Sequence, residues 1–284
     1  MQFASFTLIF LFLPITMLLF YLTPNRWKQE VMLGISLLFL CSGGWLAAAV
    51  EILLTALTYG AGLLLEHLRQ RKHLSRLVLA GSILLHFGAL LLLRSDWLFS
   101  LKAGWFSGKS LFPLGLAFFT LQSVGYCIDV FRGKIHGEKN WRQLGLYLLF
   151  YPRLIMGPVV SYSVAVKSLC TPVFDMARVG QGLLRFLVGL GKKLILANWL
   201  GMLFQTLCQA DTGTYSLMLV WLGAFAQLMT LYLELSGYAD MAIGLGLCYG
   251  VRLPESFGKS LFYPSMAAFA DQWNRTVVQW FSHY

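Results

Sequence analysis

The stretch LYLELSGYADMAIGLG, Leu231 to Gly246, holds the densest set of groups able to do chemistry in this sequence. Glu234, Ser236, Tyr238 and Asp240 fall within seven residues, between two apolar runs. On a helix Glu234 and Tyr238 share a face at i and i+4, and Ser236 and Asp240 share the neighbouring one. Carboxylates and hydroxyls in that arrangement make a polar wall that places hydrogen-bond acceptors around a substrate. The same residues suit a capping or interhelical network anchored on Ser236 and Gly237 equally well.

Arg153 is the other isolated charge, set among apolar residues and a proline in LFYPRLIMGPVV. It either pairs with a buried carboxylate such as Glu234 or Asp240, or holds an anionic or carbonyl group. Asp129 and Arg132, in CIDVFRGK, read as a helix end meeting solvent. The histidines are His67, His73, His86, His136 and His283, and none has a metal-site spacing, so no metal is expected. His86 could be a buried base, although a satisfied core histidine is the commoner case. The five cysteines are far apart, odd in number and mostly inside apolar runs, which suits buried inert thiols. No G-x-S-x-G elbow, P-loop or G-x-G-x-x-G after a strand is present, so soluble-enzyme chemistry is not indicated and no bound cofactor is expected. The closing stretch DQWNRTVVQWFSHY continues an apolar stripe of Phe269, Trp273, Val277 and Trp280, the pattern of an amphipathic interfacial helix with aromatic anchors.

The elements that must carry these groups are membrane helices. Of 284 residues, 58% are hydrophobic and 12% charged, too little polar surface to cover a soluble globule. Apolar runs near the ~20 residues that cross a bilayer occupy Phe3 to Thr23, Leu77 to Leu93, Leu111 to Phe131, Leu144 to Val160, Gly180 to Leu207 and Leu217 to Leu233. Val31 to Leu65 is long enough for two. A lipid-exposed backbone must satisfy its own hydrogen bonds, so the expected fold is all-α: a polytopic membrane protein, residues 1–284 forming one membrane domain. The net charge of +10 sits in short blocks between apolar runs and forms no stripe, which argues against nucleic acid. Those blocks, Arg26 and Lys28, Arg69 to Arg76, and Arg132 to Arg142, can all lie on one side. The positive-inside rule then makes that side cytoplasmic and puts the N-terminus outside. The first run lacks a basic n-region and a cleavage site and reads as a retained helix.

Two stretches depart from simple spans. LFYPRLIMGPVV suits a broken or re-entrant helix buried in protein. Ser100 to Ser110 reads as an amphipathic connector at the outer interface. Among the glycines, which would let helices approach closely, Gly246 and Gly250 have small-xxx-small spacing.

Taken in order, FPLGLAFFTLQSVGYCIDVFRGK, LYLLFYPRLIMGPVVSY, GLLRFLVGLGKKLILANWL and YLELSGYADMAIGLGLCYGVRLPESF resemble the membrane-bound O-acyltransferase family. The likeness is to the bacterial branch that includes alginate O-acetylase and the teichoic-acid D-alanyl transferase. It implies a multi-helix fold with a funnel or tunnel through the bacterial cytoplasmic (inner) membrane. It also implies transfer of an acyl group, acetyl above all, from a cytoplasmic thioester donor, acetyl-CoA or an acyl carrier protein. The acceptor would be hydroxyls of an extracytoplasmic polysaccharide or cell-wall polymer, with an extracytoplasmic or membrane partner subunit. Arg153, Glu234, Ser236, Tyr238, Asp240 and Trp273 would then bind substrate. In the family's terminal motif Trp273 and Trp280 keep the spacing of seven, and Asn274 stands where a catalytic-site histidine is expected. An amide can orient a hydroxyl or donate to an oxyanion but has no usable proton affinity near neutral pH. The family pattern also runs on through further helices bearing a second histidine motif, so the chain is expected to match the N-terminal portion of the fold. The alternative reading is a catalytically inactive scaffold or export component of the same fold.

Overall fold

The computed structural model describes residues 5–94, 115–154, 156–170, 172, 175–209, 216–258 and 264–284. The expected connector Ser100 to Ser110 lies outside them. Every regular element among the described residues is helical: a π turn at Leu8–Phe12, then α1 (Leu13–Leu22), α2 (Lys28–Gly43), α3 (Trp45–His67), α4 (Lys72–Arg94) and α5 (Leu116–Phe131). There follow α6 (Trp141–Leu149), α7 (Tyr151–Leu154), α8 (Tyr162–Cys170), α9 (Met176–Gly191), a π segment Lys192–Ala197, α10 (Asn198–Gln209) and α11 (Leu217–Cys248). Two short helices, α12 (Met266–Gln272) and α13 (Arg275–His283), close the chain.

Among the described residues, four helical stretches are long and apolar enough to cross a membrane: Trp45–His67, Lys72–Leu93, Met176–Gln209 and Leu217–Cys248. Their outward faces carry exposed Leu184, Leu187, Ile195, Trp199, Trp221 and Phe225. A soluble surface would not leave that much apolar area in water, whereas lipid accepts it. The protein is therefore a polytopic membrane protein. The Val31 to Leu65 run is split as anticipated, Gly44 taking φ 142° between α2 and α3. At Gly250, φ 74°, the Val251 amide donates to the Gly246 carbonyl and the Gly250 amide to that of Leu247, the double bond that stops a helix and reverses the chain.

The core gathers α1, α2, α3, α5 and α6 around Phe20, Phe39, Tyr126, Tyr147 and Tyr151. The stretch from Leu144 to Val160 is broken, as its prolines and glycine foretold. Helix α6 ends at Leu149, α7 lasts one turn, and Gly157 to Val160 lie outside any helix. A Cβ on Gly157 would come within 2.5 Å of the Arg153 Cα, so only glycine makes this turn. All four of those residues bar none are buried in protein, which is what non-helical backbone at membrane depth requires.

The basic blocks do meet at one end of the bundle. Arg142 reaches Glu30 at 3.2 Å, His136 reaches Glu66 at 2.9 Å, and Arg69 donates to the Gly133 carbonyl at 3.4 Å. Of the cysteines, Cys127 and Cys248 are buried while Cys41 and Cys208 are exposed, so burial is not their common trait.

Candidate functional site

The site is built on one helix pair. Gly182 and Gly189 on α9 face Gly244 and Gly237 on α11: a Cβ on Gly182 would lie 2.6 Å from the Gly244 carbonyl oxygen, and one on Gly189 would lie 2.6 Å from that of Gly237. The backbones touch, as close packing in lipid favours. The productive glycines are thus spaced by seven, two on each helix. Gly246 and Gly250, whose small-xxx-small spacing pointed to a helix contact, instead form the helix end, where Gly246 faces Val251 and Leu253.

The close approach fixes the charges between the glycines. Arg185 donates to Asp240 Oδ1 from Nη2 at 2.9 Å and from Nε at 3.1 Å, and Lys192 donates to Asp240 Oδ2 at 2.6 Å. Arg185 also meets the Glu255 carboxylate, with Nη1 at 2.6 Å from Oε1 and Nη2 bonded to Oε2. One helical turn on, Lys193 reaches Glu234 at 3.0 Å and lies 4.5 Å above the Tyr238 ring. Glu234 and Tyr238 therefore do share a face. Since α11 is one unbroken helix of 32 residues, the polar stretch is not a boundary between two runs but lies inside a span. Asp240 is eight residues from the helix end, about 12 Å along its axis.

After Gly250 the chain doubles back along α11. Residues 251–255 have no helical bonding, and Phe257 packs edge-on to Tyr232 at 5.7 Å between ring centroids. Tyr232 lies sixteen residues before Cys248, about 24 Å from the end of α11, a distance that an extended strand of this length spans. This strap closes a cavity of about 230 Å³ lined by Arg185, Lys192, Tyr232, Asp240, Glu255 and Phe257, among others. Trp273 backs the aromatic wall, 5.4 Å from Tyr232 and 6.1 Å from Phe257.

The terminal stretch is not the single amphipathic helix its periodicity suggested. It breaks at Asn274, which sits at φ 50°, ψ 52°, the left-handed region that asparagine tolerates better than most residues. The break sets Trp273, with Phe269 packed on it, against Tyr232 and sends Trp280 toward Gly125 on α5. It is pinned by main-chain bonds, Arg275 N–H to the Ser256 carbonyl at 2.7 Å and Gly258 N–H to that of Gln272 at 3.2 Å. The Thr276 hydroxyl accepts from the Val159 amide at 3.3 Å and lies 3.3 Å from that of Ser256. Two irregular segments, 157–160 and 256–258, and the turn 273–274 with the start of α13 thus meet beside the charged pair of helices.

Known proteins align along the full chain. It is 30% identical over 291 residues to a probable alginate O-acetylase, AlgI, of Pseudomonas fluorescens, the match covering 100% of this chain and 56% of that one. A peptidoglycan O-acetyltransferase of Helicobacter pylori is 26% identical over 204 residues, 61% of this chain and 38% of its own length. A teichoic acid D-alanyltransferase of Bacillus subtilis is 23% identical over 175 residues, 60% of this chain and 44% of its own length. No family model matches. The chain belongs to the membrane-bound O-acyltransferase family. It spans a little over half the length of the AlgI relatives, 56% of the first.

Within this chain the sequence-derived residues divide. Asp240 lines the cavity and Trp273 stands behind its aromatic wall, whereas Glu234 and Tyr238 meet Lys193 and are not among the residues lining it. Ser236, 1% exposed, faces the helix interface with its hydroxyl unpartnered among the described residues. Arg153 does not pair with Glu234 or Asp240, which take Lys193, Arg185 and Lys192 instead. Its guanidinium donates from Nη2 to the Tyr147 carbonyl and lies 4.9 Å over the Tyr147 ring, while Nη1 is buried without a partner among the described residues. That leaves one open donor for a carbonyl or anion. His86 is a satisfied core histidine, held by Thr58 at 2.9 Å and the Ser82 carbonyl at 2.8 Å. Asp129 accepts from Tyr284 at 2.7 Å, and its burial with α13 replaces the solvated helix end that its sequence suggested. Burial and that carboxylate push the Tyr284 hydroxyl well above the usual phenol range, so it stays the donor.

Sequence reasoning missed Arg185, Lys192, Lys193 and Glu255. The signal was present: three cations, Arg185, Lys192 and Lys193, stand inside an apolar run interrupted by Gly182, Gly189 and Gly191. What the cluster does chemically follows from its charge pairing. Both Asp240 oxygens are engaged by cations, Oδ1 by Arg185 and Oδ2 by Lys192, which leaves the cavity with polar and aromatic walls.

Proposed function

We propose that this chain is the binding and channel-forming portion of a membrane-bound O-acyltransferase. It would move an acyl group, acetyl by its likeness to O-acetylases, from a cytoplasmic thioester to hydroxyls of an extracytoplasmic polysaccharide or cell-wall polymer. The observation that carries this reading is the Asp240–Arg185–Glu255 network closed by a non-helical strap and backed by Trp273, inside helices that span the bilayer. A polar-lined cavity within the membrane-spanning helices suits a site where an acyl group meets its acceptor. The donor would be acetyl-CoA or an acyl carrier protein, reached from the end where the basic blocks cluster, which the positive-inside rule makes cytoplasmic in the inner membrane, with the N-terminus outside. An extracytoplasmic or membrane partner subunit would deliver the polymer.

Attack of an alcohol on a thioester needs a base for the alcohol proton. Asn274, beside Trp273, can orient a hydroxyl through its amide but cannot take the proton. In this reading the base is a histidine supplied from outside these 284 residues. The same observation favours the second reading, a non-catalytic scaffold or export component that keeps the cavity and lacks the base. Purified protein, alone and with any co-purifying subunit, should be incubated with labelled acetyl-CoA and candidate glycans. Transfer that is lost in Arg185→Gln supports the enzyme. Binding of a candidate glycan with no transfer of label under either condition moves the assignment to the scaffold.

A further inference from the structure

A second cavity, about 340 Å³, lies at the turn between α3 and α4 and is lined by Arg69, Lys72, Ser75, Arg76 and Phe131. We infer that it binds a phosphate group. Three cations and no carboxylate line it. The nearby carboxylate, Glu66, is occupied by His136 Nδ1 at 2.9 Å and by the Gly137 amide, so it does not neutralise them. Lys72 begins the 23-residue helix α4, whose first-turn amides at Lys72, His73 and Leu74 have no intrahelical acceptor and carry the positive end of the helix dipole. The observation that lifts this above a solvated basic loop is Ser75. It is 3% exposed, lines the cavity, and its hydroxyl has no hydrogen-bond partner among the described residues.

The geometry is also held in place. Arg69 donates to the Gly133 carbonyl at 3.4 Å, and a Cβ at Gly133, φ 73°, would lie 2.1 Å from its Nη2, so the guanidinium folds over a position only glycine can fill. Lys72 and Arg76 stand at i and i+4 with Ser75 between them, directing two charges and a hydroxyl to one face. Phe131 supplies an apolar wall. Because Trp45–His67 and Lys72–Leu93 are both spans, the turn sits at a membrane surface. A phosphate ester with an apolar neighbour could come from an anionic phospholipid or from a soluble phosphorylated carrier, and recognition of the phosphate is common to both. The site does not depend on the acyl-transfer reading, and loss of either leaves the other standing.

The test uses the full chain. Binding of labelled inorganic pyrophosphate is measured in an uncharged detergent. Separately, retention of phosphatidylglycerol is measured after extraction from phosphatidylcholine nanodiscs containing it. At least one probe should bind, and Lys72→Gln/Arg76→Gln should weaken that binding by at least about tenfold, since each cation gives a charge-assisted bond. Arg26→Gln/Lys139→Gln removes the same charge elsewhere and should change binding by less than about twofold. Should the first variant fold poorly, Ser75→Ala keeps every charge and should still weaken binding about threefold or more through the lost hydrogen bond. No binding of either probe by the wild type, or equal losses in the two charge variants, overturns the site.

Discussion

Asp240→Asn is the most informative perturbation of the helix pair. Asp240 accepts three hydrogen bonds, at 3.1 and 2.9 Å from Arg185 and at 2.6 Å from Lys192, and its side chain is 16% exposed. An amide of the same shape keeps one acceptor oxygen, so the Arg185 fork retains a partner. Its NH₂ turns toward the Lys192 ammonium, donor against donor, and that bond is lost. A bond to a charged group contributes about 1.5–3 kcal/mol, and Lys192 at 30% exposure regains part of its hydration. With the Arg185 bonds also weakened, the expected cost is about 2–3 kcal/mol. Glu255→Gln is the matched control: Glu255 is 51% exposed and Arg185 keeps Asp240, so its loss should be under about 1 kcal/mol. Reversible unfolding of the reconstituted chain in mixed micelles, followed by helical circular dichroism, gives both values. If the two substitutions cost the same, or Asp240→Asn costs less than about 0.5 kcal/mol, the charge network is not what holds α9 against α11.

Gly189→Leu should cost at least about 2 kcal/mol and separate the same helices, because its first carbon already meets backbone at 2.6 Å and no side chain can move aside. Asn274→Gly should leave unfolding nearly unchanged, whereas Asn274→Val should lose about 1–2 kcal/mol, since a β-branched residue is strained at φ 50°; equal effects would show the left-handed break to be unimportant. Tyr284 has its phenol raised above the ordinary value of 10.0, so its share of stability is complete below that pH and lost as pH climbs toward the raised value. Tyr284→Phe should therefore flatten part of the alkaline fall in unfolding free energy while costing about 1–2 kcal/mol at neutral pH. A lone cysteine placed at Lys139 in a cysteine-free background should react with an impermeant thiol reagent only after the membrane is opened; labelling in intact cells reverses the proposed topology.

Much of the fold was legible in one dimension. Apolar runs of membrane length, interrupted by basic blocks, already dictated a helical bundle, and the prolines and glycine of LFYPRLIMGPVV already marked a break. Local chemistry decides such features, because backbone hydrogen bonding in lipid leaves few alternatives. The candidate site was half legible. Glu234, Tyr238 and Asp240 stood out as polar groups at membrane depth, and helical spacing paired the first two correctly.

Their partners were not legible, for a physical reason. Lys193 and Glu234 are separated by 41 residues, Arg185 and Asp240 by 55, and Arg185 and Glu255 by 70. Which cation meets which carboxylate depends on the register of two helices. That register is set where Gly182 and Gly189 let carbonyl oxygens of α11 come within contact distance. Likewise the periodicity of residues 269–280 could not reveal that Asn274 turns left-handed, because that conformation is held by main-chain bonds to Ser256 and Gly258 from a distant strap. Sequence alone determined that this protein spans a membrane as helices and carries a polar stretch inside one of them. Only the tertiary structure decided that Asp240 is neutralised by two cations, that Arg153 is not its partner, and that the chain re-enters the bundle to close a cavity, since each rests on contacts between segments whose spacing along the chain carries no periodic signal.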